Sequence, residues 1–241
     1  MEIYIFDTPE QLGKEAAVRA ADLLNNAIKE KGVARLLLST GKSQFEFFKN
    51  IIHENIDWTK VEVFHLDEYV GISNEHPASF VKYIKDRLLS FVTPKAMYFV
   101  DSTKDIKESI EYLTENIRKA PIDVAMIGIG ENGHIAFNDP PADFDTKEIY
   151  IVVNLDEKCK QQQVNEGWFD NIEQVPKQAI SMTVSQILQS KHIISCVPHK
   201  EKALAIKKTI EEDVTNMIPA TILKTHPSFF LLLDKESASL L

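Results

Sequence analysis

Eight short apolar runs recur along the chain, at residues 3–6, 33–38, 61–66, 96–100, 122–127, 150–153, 191–197 and 229–233. Runs of about four to eight such residues, bounded by turn signals, read as buried strands. Most of the intervals between them carry a helical pattern. In the first interval Leu12, Ala16, Ala20, Leu23, Leu24, Ala27 and Ile28 keep the period of about 3.6 residues. Its ends are marked as well: Thr8-Pro9-Glu10-Gln11 predicts a capped start with proline in the first turn, and Gly32 after Lys29 and Lys31 predicts the stop. Further helices are expected over residues 44–52, from after Pro77 to about 90, over 105–119 and from 198 to about 210, while 180–188 is too mixed to assign. Strands that alternate with helices demand right-handed crossovers, which return each strand parallel to the last. The expected fold is therefore α/β: a single domain with a mostly parallel sheet and helices on both faces, spanning residues 1–241.

Composition narrows the function classes. A hydrophobic fraction of 44% and a charged fraction of 26% are those of an ordinary globule. No apolar run approaches the ~20 residues of a membrane span, and MEIYIFDTPE lacks a basic, cleavable leader pattern. The expectation is a cytoplasmic protein without a membrane partner. A formal charge of −9 opposes a phosphate backbone, so nucleic acid is not an expected partner. A single phosphate remains compatible, because a lysine or two at a helix start suffice for it. Cys159 and Cys196 make no disulfide framework and no CxxC pair.

Chemistry concentrates where strands end. After the run at 33–38 comes Ser39-Thr40-Gly41-Lys42-Ser43, a tight turn into a helix. A nucleotide phosphate loop would need a glycine at Leu36, so this turn suits one phosphate or is an ordinary polar connection. After 61–66 come two acids, Asp67 and Glu68, which read either as a solvated turn or as a base at the strand end. After 191–197, Lys200 and Lys202 sit at a helix start, where the dipole disfavours cations; an anion bound between them would resolve the conflict.

The densest stretch is residues 128–141, GIGENGHIAFNDPP, which follows the run at 122–127. It matches GxGxxG formally, but Pro140-Pro141 leave no room for the long helix that a dinucleotide turn must open. His134 lies within these glycines and not on an apolar face. Asp139 is close enough in sequence to orient it, and Asp67 adds a second base from a neighbouring unit. Metal ligation is the rival reading of clustered His and Asp, but no HxH, HExxH or second histidine at ligand spacing accompanies His134.

Three stretches together, HLDEYVGISNEHPASF, GIGENGHIAFNDP and FDNIEQVPKQAISMTV, resemble the glucosamine-6-phosphate deaminase (isomerase) family over nearly the whole chain. The resemblance implies a Rossmann-like sheet shared with 6-phosphogluconolactonases, no metal, no organic cofactor and a hexosamine phosphate as partner. It implies that Ser39, Thr40, Gly41, Lys42 and Ser43 form a phosphate loop assisted by Lys202 in KEKALAI. It further implies that Asp67 moves a proton between C1 and C2, that His134 opens the sugar ring, and that Asn132 and Asp139 flank and orient His134. The reaction so implied turns glucosamine 6-phosphate and water into fructose 6-phosphate and ammonia. The galactosamine epimer, a lactone hydrolase and a non-catalytic sugar-phosphate sensor are the alternatives, and a homo-oligomer stays open.

The departures are specific. Members of the family often carry aspartate at Asn132 and glutamate at Asp139, which makes the relay here shorter and less charged. The family's phosphate-binding arginine falls at Gly167, in NEGWFDN, and Lys42 stands where a small glycine is usual, so Lys42 is expected to replace the missing charge. Basic positions of an allosteric site fall on Ile149 and Ile151, which argues against regulation by an N-acetylated sugar phosphate. Residues 152–175, with Trp168 and Phe169, fit either a pocket wall or a subunit contact.

Overall fold

The computed structural model describes residues 1–103 and 105–241. Strand β1 (Glu2–Phe6) leads into helix α1 (Pro9–Lys31), and both ends of that helix form as the sequence predicts. The Thr8 hydroxyl accepts from the Gln11 backbone N–H, and Gly32 stops the helix at φ 78°. Gln11 reaches back to the Asp7 N–H, one residue outside the expected box. Strand β2 (Ala34–Leu38) then passes through a short 3₁₀ turn, Lys42–Gln44, into α2 (Phe45–Ile51). Strand β3 (Val61–His65) is followed by the very short β4 (Asp67–Tyr69) and by α3 (Phe80–Ile84), which continues as a π turn over Lys85–Leu89.

The second half repeats the plan: β5 (Ala96–Tyr98), α4 (Ile106–Ile117), β6 (Val124–Met126), β7 (Tyr150–Asn154), α5 (Glu157–Asn165), β8 (Gln178–Met182) and α6 (Val184–Ile187). Then come β9 (His192–Val197), a 3₁₀ turn at Lys200–Lys202 opening α7 (Ala203–Glu211), and β10 (Phe229–Asp234). Among the described residues no helix is long and apolar enough to cross a membrane.

Seven strands form one parallel sheet in the order β1-β10-β9-β6-β2-β3-β5. Alternate residues serve opposite faces. Leu36 and Leu38 of β2 pack with Leu12, Ala16, Ala20, Phe47 and Ile84 from α1, α2 and α3, while Leu37 between them packs with Leu113, Ile117, Ile187 and Ile206 from α4, α6 and α7. Helices therefore cover both faces, as expected.

One part of the expectation needs correcting. Residues 150–153 do form a strand, but β7, β8 and β4 build a separate antiparallel sheet in the order β4-β8-β7. The chain leaves β3 at His65, bends through Leu66 and starts β4 at Asp67, which lies opposite Ser181. The acids at 67 and 68 are thus not a solvated turn; both are buried.

The two edges of the large sheet differ in their charges. At the edge where strands begin, buried Asp123 accepts from the Arg35 N–H and pairs with Lys31 and Lys191. There the Arg35 guanidinium donates to the final carbonyls of α4, at Asn116 and Ile117. Those charges are compensated and structural. At the opposite edge, where β2, β3, β6 and β9 end, Lys42 and Lys202 have no ion-pair partner among the described residues.

Candidate active site

The chain winds from β2 outward through β3 to β5, then crosses back to place β6 on the other side of β2. Neighbouring strands whose following connections diverge leave a crevice between their loops, and ligands of open α/β sheets bind there. A cleft of about 410 Å³ occupies this position. Its walls come from the ends of four adjacent strands: Ser39 to Ser43 after β2, Asp67 after β3, Gly128 to Glu131 and His134 after β6, and His199, Glu201 and Lys202 after β9.

Two of these turns are built alike. Gly41 begins the turn after β2 with φ 97° and ψ 173°, and His199 begins the turn after β9 with φ 81° and ψ 146°. Each passes into a 3₁₀ turn and then a helix. Gln44 ties them together, its amide donating to the Cys196 carbonyl of β9, and the Tyr83 hydroxyl donates to the Gly41 carbonyl. Lys202 is 8% exposed, Lys42 is exposed, and among the described residues neither has an ion-pair partner. Among the described residues the buried Ser39 hydroxyl has no hydrogen-bond partner. Burying an unpaired ammonium and an unused hydroxyl is costly unless a ligand completes them, so this end of the cleft is shaped for a small anion.

The opposite wall holds the titratable groups. His134 Nδ1 lies 2.6 Å from Asn132 Oδ1 and 3.1 Å from Asp139 Oδ1. Asn132 Nδ2 donates to that same Asp139 oxygen over 3.0 Å, and Asn132 Oδ1 also accepts the His134 backbone N–H. Both neighbours of Nδ1 are acceptors, which assigns the ring proton to Nδ1 and leaves Nε2 with its lone pair. Burial pushes the Asp139 carboxyl up, but the His134 and Asn132 contacts outweigh it and hold the group below its ordinary value. The ring rests on Gly130, where a Cβ would fall 2.2 Å from Cε1. Only glycine leaves the imidazole this position.

Asp67 is 6% exposed, and no hydrogen-bond donor among the described residues meets its carboxylate. Burial, with the charge of Glu68 second, pushes it up to about 8. Glu68 is itself raised to about 7 by burial, against the pull of donors from Val81, Ser79 and Tyr69. Those donors let Glu68 ionise first, and its charge then holds the proton on Asp67. A carboxylate whose affinity for protons is matched to neutral pH is suited to take one from a weak carbon acid and return it.

The ten residues that the family resemblance assigns to the site gather here. Ser39, Thr40, Gly41, Lys42, Ser43, Asp67, His134 and Lys202 line the cleft, while Asn132 and Asp139 stand behind His134. Gly167 is at φ 79° with open space around it, in the segment that follows α5. That segment walls the cleft: Gln162, Gln163, Glu166 and Trp168 face it, with Glu166 fixed by the Gln162 amide and the Trp168 indole. Trp168 meets Phe45 edge-on at 6.4 Å, beside the turn that follows β2. Glu166 and His199 were not marked by the sequence. A polar helix and a histidine before two lysines carry no periodicity or motif that separates them from solvated surface.

Fold and site together define a class: a doubly wound α/β protein whose cleft sets two like-built turns, carrying Lys42 and Lys202, against a histidine–carboxylate cluster. The family model for glucosamine-6-phosphate isomerases and 6-phosphogluconolactonase matches residues 7–231. A glucosamine-6-phosphate deaminase of Lactobacillus delbrueckii subsp. bulgaricus is 36% identical over 242 residues, covering 100% of both chains. One of Oenococcus oeni is 36% identical over 229 residues, with 94% of each covered. A solved structure of a monomeric glucosamine-6-phosphate deaminase superposes with a TM-score of 0.91 at 31% identity, over 100% of both chains. A 6-phosphogluconolactonase of Shewanella baltica gives 0.78 at 21% identity over 97% of each, a likeness of fold. The chain belongs to the glucosamine-6-phosphate isomerase and 6-phosphogluconolactonase family.

Proposed function

We propose that the protein isomerises and deaminates an amino-hexose 6-phosphate, with glucosamine 6-phosphate and water giving fructose 6-phosphate and ammonia. The observation that carries this reading is Asp67, a buried carboxylate poised at about 8 that opens onto a cleft whose other end holds unpaired cations. In this reading Ser39 to Ser43 and Lys202 hold the phosphate. The His134 Nε2 lone pair takes the proton of the sugar's O1 hydroxyl and delivers it to the ring oxygen as the C1–O5 bond breaks, leaving an open-chain aldehyde. Asn132 and Asp139 keep the imidazole aimed and its other proton on Nδ1. Asp67 then removes the C2 proton while a water molecule gives a proton to O1, which forms the enolamine and leaves hydroxide; the same C2 proton returns at C1, leaving an iminium cation at C2. That hydroxide adds at C2, the hydroxyl proton passes to nitrogen, the amine leaves as ammonia, and the ketone remains. Positioned proton transfers of this kind contribute about 10²–10⁴-fold each.

The identity of the relatives supports the glucosamine epimer over the galactosamine one. The test is ammonia release by the purified protein from glucosamine 6-phosphate and galactosamine 6-phosphate, with Asp67→Asn as control. Release above the control from glucosamine 6-phosphate is the expected result. Release from neither sugar refutes the reading, and hydrolysis of 6-phosphogluconolactone in its place would move the protein to the other branch of its family.

A further inference from the structure

Among the described residues, two non-glycine residues have positive φ, Ala136 at 51° and His199 at 81°, and both line the cleft. Ala136 sits near the left-handed helical region, which side chains visit at modest cost. His199 does not: with ψ at 146° it occupies a region that is close to glycine-only, at a cost of about 1–3 kcal/mol. Its counterpart after β2 has nearly the same backbone and is a glycine, Gly41, with no atom near the place a Cβ would take.

The surrounding structure maintains this strain. Both oxygens of Asp234, 1% exposed, accept the His199 backbone N–H at 3.2 and 3.1 Å, and Asp234 is anchored in turn by the Ser237 N–H at 2.7 Å. A glycine would satisfy the same bonds without strain. Backbone strain held in place at a cleft is the pattern of a side chain kept for contact with a ligand. The two turns flank β6, so whatever anion lies over the open space at Gly41 faces the turn that carries His199. Buried Lys202 and the unpartnered Ser39 hydroxyl converge on that space from the same two turns. Besides Asp234, Glu10 at the start of α1 and Glu201 beside Lys202 are carboxylates close to this turn.

We propose that His199 is a specificity-determining contact of this site, its imidazole donating a hydrogen bond to the phosphoryl end of the sugar phosphate from the turn opposite Gly41. This rests on the functional reading above. His199 binds the part of the substrate that does not react, so its loss falls on KM and not on kcat.

The test uses the full chain and three variants. His199→Ala removes the imidazole and keeps the strain; KM for glucosamine 6-phosphate is expected to rise about tenfold, the size of one hydrogen bond to a charged group. His199→Gly removes both, so KM rises equally while the unliganded protein melts at or above wild type and above His199→Ala. His199→Asn keeps the strain of a side chain at this position but restores a donor, and recovers part of the affinity lost in His199→Ala. Inorganic phosphate is the second probe: it raises the melting temperature of wild type, and the rise shrinks in His199→Gly. If wild type releases no ammonia, the functional reading fails, and the phosphate-dependent melting still judges His199. An unchanged KM in both truncations, a phosphate effect that survives His199→Gly, or a His199→Gly protein melting well below wild type overturns the proposal, the last because the imidazole would then be a brace.

Discussion

Gly130→Ala is the sharpest perturbation this site offers. A Cβ at Gly130 would lie 2.2 Å from His134 Cε1 and 2.4 Å from each ring nitrogen, where ordinary contact begins at 3.4 Å. The ring must therefore retreat by the difference of 3.4 and 2.2 Å, about 1.2 Å. It cannot do so for free. Nδ1 is held 2.6 Å from Asn132 Oδ1 and 3.1 Å from Asp139 Oδ1, and a shift of that size carries one or both beyond hydrogen-bond reach. Nor can the loop simply open, because the Gly130 N–H donates to the His134 carbonyl and the Gly133 N–H to the Gly130 carbonyl. A misplacement near 1 Å costs about 10²-fold in rate. Steady-state ammonia release should show kcat for glucosamine 6-phosphate down by about that factor, with KM little changed because the phosphate turns are untouched. Gly128→Ala is the size-matched control: its Cβ would meet Gln44 Nε2 at 3.6 Å, an ordinary contact, and should lose far less. A Gly130→Ala enzyme that folds and keeps kcat within about threefold of wild type would refute the placement of His134 at the reacting end.

Three further outcomes follow from the charges. Folding raises the Asp67 carboxyl from 3.8 to about 8, so the folded state holds that proton more tightly than the unfolded chain, and wild type loses stability as pH climbs through that window; Asp67→Asn should melt above wild type at pH near 8, with the gap closing toward pH 4, in a melting series across pH. Since the base must be ionised to work, kcat/KM should rise through a pH near 8, and Glu68→Gln, by removing the second cause of the shift, should move that limb to lower pH while burial keeps it above the ordinary carboxylate range. Lys42→Ala should raise KM for the phosphorylated sugar by about threefold at low salt, fading as salt is added, as befits an exposed cation; an unchanged KM would mean that Lys42 does not replace the charge absent at Gly167.

The large sheet was legible because its strands are long enough to bury and its crossovers end in residues with one conformational meaning: the Thr8 cap, the Gly32 stop, the alternation of Leu36, Leu37 and Leu38 between two faces. The small sheet was not. β4 begins with two acids, and it and the mixed residues of β8 gain their strands from antiparallel pairing, a contact between segments far apart in the chain. Asp67, His134, Asn132 and Asp139 could be marked because they stand at strand ends or within a glycine-rich loop. The burial of Glu68 could not, since its partners Ser79 and Val81 belong to the next helix. His199 was hidden for another reason: its distinguishing property is a backbone angle, and only the chain's path reveals that a glycine position is filled by something else.

The bend at Leu66 sets Asp67 on the seam between the two sheets, the last site loop of one and the first residue of the other. Its pairing with Ser181 makes the proposed base the innermost rung of a ladder that runs outward through β8 to β7, whose Val152 is exposed. Substitutions along that outer ladder touch no ligand, yet they can alter how deeply one carboxylate is buried. Lineages that drift there would retune the pH at which the enzyme works while leaving the phosphate end, on the other sheet, unchanged.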